Sequence, residues 1–155
     1  MPLLQAGGVG GDPAGLRQAL DLGYAGCQLG TRFLATHEAK ITQSYKNAIV
    51  AATPDDIVWT NKLAGTNSSV IRTPQVEQGG LRVNALVAWL LKNRFTKLLT
   101  RTLMLTRAME TYKRAAFEED YEVWQAGKGV GTIDAVESCA EVLAKFGQVA
   151  RADMP

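Results

Sequence analysis

The apolar positions along the chain change their period several times, and each change marks an element. Leu3 to Ala6 is a short apolar run ending in Gly7-Gly8-Val9-Gly10-Gly11, which predicts a buried strand opening into a loop of unusual backbone freedom. Asp12 offers an N-cap and Pro13 a first helical residue. Leu16, Ala19, Leu20 and Leu22 follow at helical spacing, and Gly23 stands at the C′ position. A second strand is expected from Tyr24 to Leu29, stopping at Gly30-Thr31. Strand, helix and strand within about thirty residues is the span of one βαβ unit, whose strands run parallel.

Arg32 to Thr36 reads as a short helical turn. A longer helix is expected over Glu38 to Ala52, with Ile41, Tyr45, Ala48, Ile49 and Ala52 on one face, until Pro54-Asp55-Asp56 breaks it. Ile57 to Leu63 and Ser69 to Ile71 read as short extended segments, and Pro74 to Gly80 as a polar loop. From Leu81 to Glu119 the spacing is helical, with Leu86, Leu90, Leu98, Leu99, Leu103 and Met109 on the apolar side. A loop from Trp124 to Gly129 leads to a last helix, Ile133 to Phe146, whose expected apolar face carries Val136, Ala140, Leu143 and Ala144.

The 155 residues are 46% hydrophobic and 21% charged, an ordinary globular composition, so one domain or part of one is the starting expectation. A net charge of +2 argues against a nucleic-acid partner. Cys27 and Cys139 lie far apart with no metal-binding spacing, which predicts reduced thiols in a cytoplasmic protein and no metal site. The opening MPLLQAGG lacks a basic leader pattern, and the run from Val83 to Leu91 is too short to span a bilayer.

The two glycine turns are where chemistry is expected. Glycines at the C-terminal ends of neighbouring parallel strands let backbone N–H groups approach a phosphate, and the dipole of the following helix favours an anion. In (β/α)₈ barrels the loops after the last two strands commonly build this site, with a short extra helix. Gly7-Gly8 and Gly30-Thr31 stand in that relation, Arg32 to Thr36 is the candidate extra helix, and Arg32 serves either as a charge or in a structural pair. A dinucleotide fingerprint fits worse: counting from Gly8, Pro13 takes the last required glycine, and the second strand ends in Gly-Thr-Arg with no acid for a ribose. On spacing alone, turns without a ligand explain the glycines equally well.

The stretch LLQAGGVGGDPAGLRQALDLGYAGCQLGTRFLATHEA resembles the flavin-binding end of the nitronate monooxygenases, with QLGTRFLAT as its most specific string. WTNKLAG, IRT and WQAGKGVGTID extend the resemblance over nearly the whole chain. It implies an α/β fold: residues 1–53 as the last two β/α units of a TIM-like (β/α)₈ barrel, and residues 54–155 as a mainly helical region with short strands. It further implies FMN as cofactor, held by Ala6, Gly7 and Gly8 after one strand and by Gln28, Leu29, Gly30 and Thr31 after the next. Gln125, Ala126 and Gly127 would form a loop near the flavin. The implied reaction is oxidative denitrification of alkyl nitronates with O₂. The glycine turn is one residue longer than the family's usual pattern, and Lys128 replaces a frequent glutamine. No residue here matches the family's catalytic histidine, whose motif would lie upstream; His37 reads as a surface or capping residue.

Weaker similarity reaches the FMN-dependent enoyl-acyl-carrier-protein reductases, an alternative reaction on the same scaffold. A third possibility is a non-catalytic fragment that self-associates or needs a missing N-terminal half, since a whole barrel takes about 250 residues. Seven bases against Glu110 between Lys92 and Arg114 read as a solvated helix face, with an intersubunit or domain contact as the alternative, rather than as a membrane or nucleic-acid surface. Trp59, Trp89 and Trp124 read as packing residues, Cys27 as core, and Asp12 as a cap.

Overall fold

The computed structural model describes residues 1–152, a mixed α/β arrangement with two small sheets and seven helices among those residues. Strands β1 (Leu4–Ala6) and β2 (Gly26–Gln28) pair in parallel, joined by α1 (Pro13–Asp21). Asp12 caps α1, its carboxylate accepting from the Ala14 N–H at 2.6 Å, and Gly23 closes the far side with φ 87°. The short helix α2 is Thr31–Leu34, and α3 is Gln43–Ala51.

Helix α3 starts five residues later than the periodicity predicts. Thr42, not a residue near Glu38, accepts from the Tyr45 N–H. Glu38 is used elsewhere: its carboxylate accepts from the Cys139 N–H at 2.9 and 3.0 Å, at the start of the last helix.

After a 3₁₀ turn at Pro54–Asp56, strands β3 (Ile57–Thr60) and β4 (Ser68–Ile71) form an antiparallel hairpin in which Trp59 faces Ser69 and Ile57 faces Ile71. The expected polar loop that follows is instead a short helix, α4 (Pro74–Gly79). Thr73 caps it by accepting from the Val76 N–H at 3.2 Å, and Pro74 opens it without needing an N–H partner.

The single long helical pattern becomes two helices, α5 (Ala85–Lys92) and α6 (Lys97–Phe117). Asn93 makes the break. Its side chain accepts from the Phe95 N–H at 2.9 Å, while Thr96 donates its hydroxyl back to the Leu90 carbonyl at 2.8 Å. The leucine side of this arm is not its packed side: Leu86, Leu98, Leu99, Leu103 and Met109 are exposed. Helix α6 packs through Ala108 and Ala115, which are seven residues apart and therefore on one face, and whose small side chains permit close approach.

The last helix, α7 (Cys139–Ala152), starts six residues after the predicted position. A capping box sets its start: Ser138 and Glu141 exchange bonds, the Ser138 N–H to the Glu141 carboxylate at 2.7 Å and the Glu141 N–H to the Ser138 hydroxyl at 3.2 Å. Its buried face carries Val142 and Phe146, whereas the expected Ala140, Leu143 and Ala144 are exposed.

Three apolar clusters hold these elements. The largest joins Ala35, Tyr45, Ile49, Ile57, Ile71, Trp124, Ala126 and Ile133. Trp124 stacks on Tyr45 with ring centroids 5.9 Å apart. A second cluster clamps α1 between β2 and α7 through Val9, Leu16, Val142 and Phe146, with Cys27 packed against it. Val70, Val76 and Val123 make the third, beneath the hairpin. The opposite face of β1 and β2 is uncovered. Leu4 is 65% exposed, and Ala6 lies exposed beside its register partner Gln28.

Candidate functional site

Three stretches of backbone meet at the C-terminal ends of β1 and β2. The first is the glycine loop after β1, in which Gly7, Gly8 and Gly10 hold φ of 79°, 72° and 82°, conformations that side-chain-bearing residues rarely adopt. Gly15 of α1 completes this turn by packing directly under the Val9 carbonyl; a Cβ there would stand 1.6 Å from that oxygen. The second is Gly30-Thr31, where Gly30 sits at the N-cap of α2 with no side-chain cap bond. The third is Gln125 to Gly129, leading into a 3₁₀ turn at Lys128–Thr132.

The third stretch is tied to everything around it. Tyr45 donates its hydroxyl to the Gln125 carbonyl at 2.6 Å. The Gly127 N–H donates to the Thr31 hydroxyl at 3.1 Å, and the Gly11 N–H to the Thr132 hydroxyl at 2.5 Å. Gly129 lies against Gly10 so closely that an added Cβ would approach the Gly10 Cα to 2.9 Å. The Ile71 N–H donates to the Trp124 carbonyl at 2.9 Å, linking the stretch to the hairpin.

Two adjoining depressions result. A niche of about 60 Å³ is lined by Gly7, Gly8, Gly10, Gln28, Leu29, Gly30 and Thr31, with Gly127 and Gly129 across it. An open cleft of about 480 Å³ continues past Gly30, Thr31 and Gly127 to Gln125, Ala126, Leu34 and the hairpin residues Trp59, Asn67, Ser68 and Ser69. Of the residues expected at a cofactor site, all but Ala6 line one of the two. Ala6 ends β1 on the uncovered face.

Arg32 does not point to a ligand. Its side chain is 2% exposed, pairs with Glu137 at 2.5 Å and donates to the Ala135 carbonyl at 3.0 Å. It is the structural pair, holding the stretch after Thr132 against α2. The α1 N-terminus is likewise occupied by its own Asp12 carboxylate, so the helix after β1 offers less to an anion than the sequence suggests. The exposed cation at the glycine loop is Lys128, which lines a neighbouring depression with Gly8 and Gly10. Burial holds the Tyr45 hydroxyl pKa up at about 12, so it remains a neutral donor to Gln125. Burial also raises the Cys27 thiol.

The resemblance implies that Ile57 to Arg72 and the Trp124 loop form part of the substrate-side cover; Trp59, Asn67, Ser68 and Ser69 of that segment line the cleft, as does Leu34, which the sequence does not single out. Trp59 was expected to pack; it is 60% exposed and lines the cleft, and Trp89 is also exposed. The signal for Trp59 was weak, because a hairpin register fixes which strand residues share a face and the register is not visible in the sequence. His37 lies on the surface, with its backbone N–H bonded to the Glu137 carbonyl at 3.0 Å. Among the described residues, no group of His, Cys, Asp and Glu is placed to hold a metal ion, and no helix is long and apolar enough to cross a membrane.

Comparison with known proteins places this geometry. The chain is 48% identical over 52 residues to the nitronate monooxygenase npaC of Metarhizium robertsii, covering 34% of this chain and 14% of that protein. It is 37% identical over 78 residues to a 5-hydroxy-7a-methyl-1-oxo-octahydro-1H-indene-4-carboxyl-CoA dehydrogenase of Mycobacterium tuberculosis, covering 50% of this chain and 22% of that one. In fold it is similar to FabK of Thermotoga maritima, with a TM-score of 0.71 and 24% identity over 98% of this chain and 45% of that one. The nitroalkane oxidase of Streptomyces ansochromogenes gives a TM-score of 0.62 at 19% identity, over 98% and 41%. The chain thus spans less than half the length of these solved structures and a smaller share of the curated relatives. The family model for nitronate monooxygenase matches residues 1–148, and the chain belongs to the nitronate monooxygenase family.

Proposed function

We propose that this chain supplies the phosphate-binding end of an FMN-dependent enzyme that oxidatively denitrifies alkyl nitronates with O₂. In this reading residues 1–53 are the last two β/α units of a (β/α)₈ barrel, and residues 54–155 are the mainly helical region that covers the site. The observation that carries it is the junction of the two glycine turns with Gln125 to Gly127 around one niche and cleft. FMN, when bound, would supply the electron transfer between nitronate and oxygen.

The residues present fit such a group. A Cβ added at Gly7 or Gly30 would meet nothing within 4 Å, so the space beside both turns is open. Ala6, Gly7 and Gly8 on one side, and Gln28, Leu29, Gly30 and Thr31 on the other, would hold the phosphate and ribityl chain. Gln125, Ala126 and Gly127 would lie beside the ring. With Arg32 engaged by Glu137, the phosphate charge would be met by backbone N–H groups and by Lys128. The chain assigns no catalytic base. The uncovered face of β1 and β2 is consistent with further β/α units completing the barrel, within a longer polypeptide or from a partner. Cys27 and Cys139, both unpaired, suit a cytoplasmic setting.

The test is an FMN titration followed by quenching of flavin fluorescence. Thr31→Val removes the hydroxyl that accepts from Gly127, leaving that N–H unpaired and the third stretch loose. An FMN affinity about tenfold weaker is expected, from an interaction worth roughly 1–1.5 kcal/mol. A wild-type chain that binds no FMN, alone or joined to its missing barrel units, would sink the proposal. A second reading, reduction of an enoyl thioester with NAD(P)H, draws on the relative named as a carboxyl-CoA dehydrogenase. NAD(P)H oxidation stimulated by an enoyl thioester, with no activity on a nitronate, would favour it.

A further inference from the structure

Trp59 stands on an unusual part of the hairpin. Residues two apart on a strand share a face, so Trp59 and its register partner Ser69 lie on the same face as Ile57 and Ile71. That face is core: Ile57 and Ile71 belong to the largest apolar cluster with Trp124 and Ala126. Trp59 continues it past the edge of the protein interior into the cleft, where its indole is left 60% exposed. A large aromatic group on a core-facing register with nothing over it gains apolar contact from whatever enters the cleft. Leu34 contributes a second apolar wall, and Asn67 and Ser69 supply an amide and a hydroxyl beside them.

Resting on the flavin reading, we propose that this end of the cleft is the substrate's subsite. It takes a bulky, rigid hydrocarbon skeleton such as an alicyclic ring, laid on the Trp59 face with its polar atoms toward Asn67 and Ser69. The niche at Gly7 and Gly8 adjoins the cleft across Gly30, Thr31 and Gly127, so the phosphate and the substrate skeleton occupy separate walls. Trp59 would set specificity by contact area and take no part in bond breaking.

The experiment reads affinities by isothermal titration calorimetry, with tryptophan emission followed in parallel, as FMN, and then cyclohexyl or ethyl nitronate, is titrated into the full chain and into Trp59→Phe and Trp59→Ala. Trp89 and Trp124 emit in all three proteins, so the Trp59 signal is the difference between wild type and the variants. Trp59→Ala should weaken cyclohexyl nitronate about tenfold while changing ethyl nitronate and FMN by less than about twofold. Trp59→Phe should keep most of the cyclohexyl affinity, and the ligand-dependent quench should vanish in both variants. Equal weakening of both nitronates, or of neither, overturns the proposal. Loss of FMN affinity in Trp59→Ala also overturns it, by putting the flavin ring on Trp59. If wild type binds no FMN, the flavin reading fails on its own. The cleft is then judged on flavin-free protein, where a Trp59-dependent quench by cyclohexyl nitronate supports it and no quench rejects it.

Discussion

Adding one methyl group at Gly15 and one at Gly147 should move stability in opposite directions. Both glycines lie inside helices, and neither has a positive φ. Helix propensity alone predicts that alanine stabilises each by about 1 kcal/mol. At Gly147 a Cβ meets nothing within 4 Å, so that gain should appear in full. At Gly15 the new Cβ would stand 1.6 Å from the Val9 carbonyl oxygen and 2.6 Å from its carbon, whereas ordinary contact begins near 3.4 Å. The helix and the glycine loop would have to part by 3.4 − 1.6, about 1.8 Å. The obstacle is backbone flanked by Gly8 and Gly10 and cannot rotate away like a side chain. Overpacking of this kind costs typically 1–3 kcal/mol, and with fixed backbone in the way the upper part of that range applies. The net change at Gly15 is then a loss of about 1–2 kcal/mol. For a chain of this size each kcal/mol moves Tm by about 2–4 °C. Thermal unfolding followed by circular dichroism should show Gly147→Ala melting a few degrees above wild type and Gly15→Ala a few degrees below it. Because Val9 sits within the loop, Gly15→Ala should also weaken FMN binding, while Gly147→Ala should not. A Gly15→Ala protein as stable as wild type would mean that the α1 contact does not define the loop.

Glu137→Gln should destabilise by about 3 kcal/mol, because the buried Arg32 guanidinium then keeps its charge without a counter-ion; the denaturant midpoint measures it, and a loss under about 1 kcal/mol would show that Arg32 finds another partner. Tyr45, held at about 12 by burial, has a folded pKa above its unfolded value near 10. Its contribution is therefore fully present below pH 10 and lost as pH rises from there through about 12, an effect on the order of 2–3 kcal/mol. Stability curves at alkaline pH should fall less steeply in Tyr45→Phe, and identical slopes would refute the assignment. At the acid end, Glu38, Asp56 and Glu141 are lowered by hydrogen bonds they accept at helix starts. Their contribution is present above the usual carboxylate range and is lost as pH falls below it. Glu38→Gln should soften that acid limb and raise amide exchange at the start of α7.

The first βαβ unit was legible because its signals are local. Asp12, Pro13 and Gly23 each act within a few residues, and the two glycine turns sit where the strands end. The third wall of the site was legible only through family resemblance, because nothing in Gln125 to Gly127 shows that its partners are Tyr45, Thr31 and Gln125's bridge to Val70. The misread helix starts have a common cause. Glu38 looks like a first-turn acid of α3 but caps α7, more than a hundred residues further along the chain. Ser138 and Glu141 form a readable capping box, yet the apolar spacing from Ile133 obscured it. On α6, spacing finds the leucines while packing uses Ala108 and Ala115, because a close helix contact is made by what is small rather than by what is greasy.

The clamp of α7 on α1 also has a temporal meaning. Val142 and Phe146 complete the cluster that seats Val9 and Leu16, so the glycine loop gains its support only after the last helix has been made. A growing chain emerging from the ribosome would carry β1, α1 and β2 with that seat empty until α7 emerges. Cofactor capture is thereby tied to the emergence of α7. Shortening the α7 end should abolish flavin uptake without removing any residue that lines the niche.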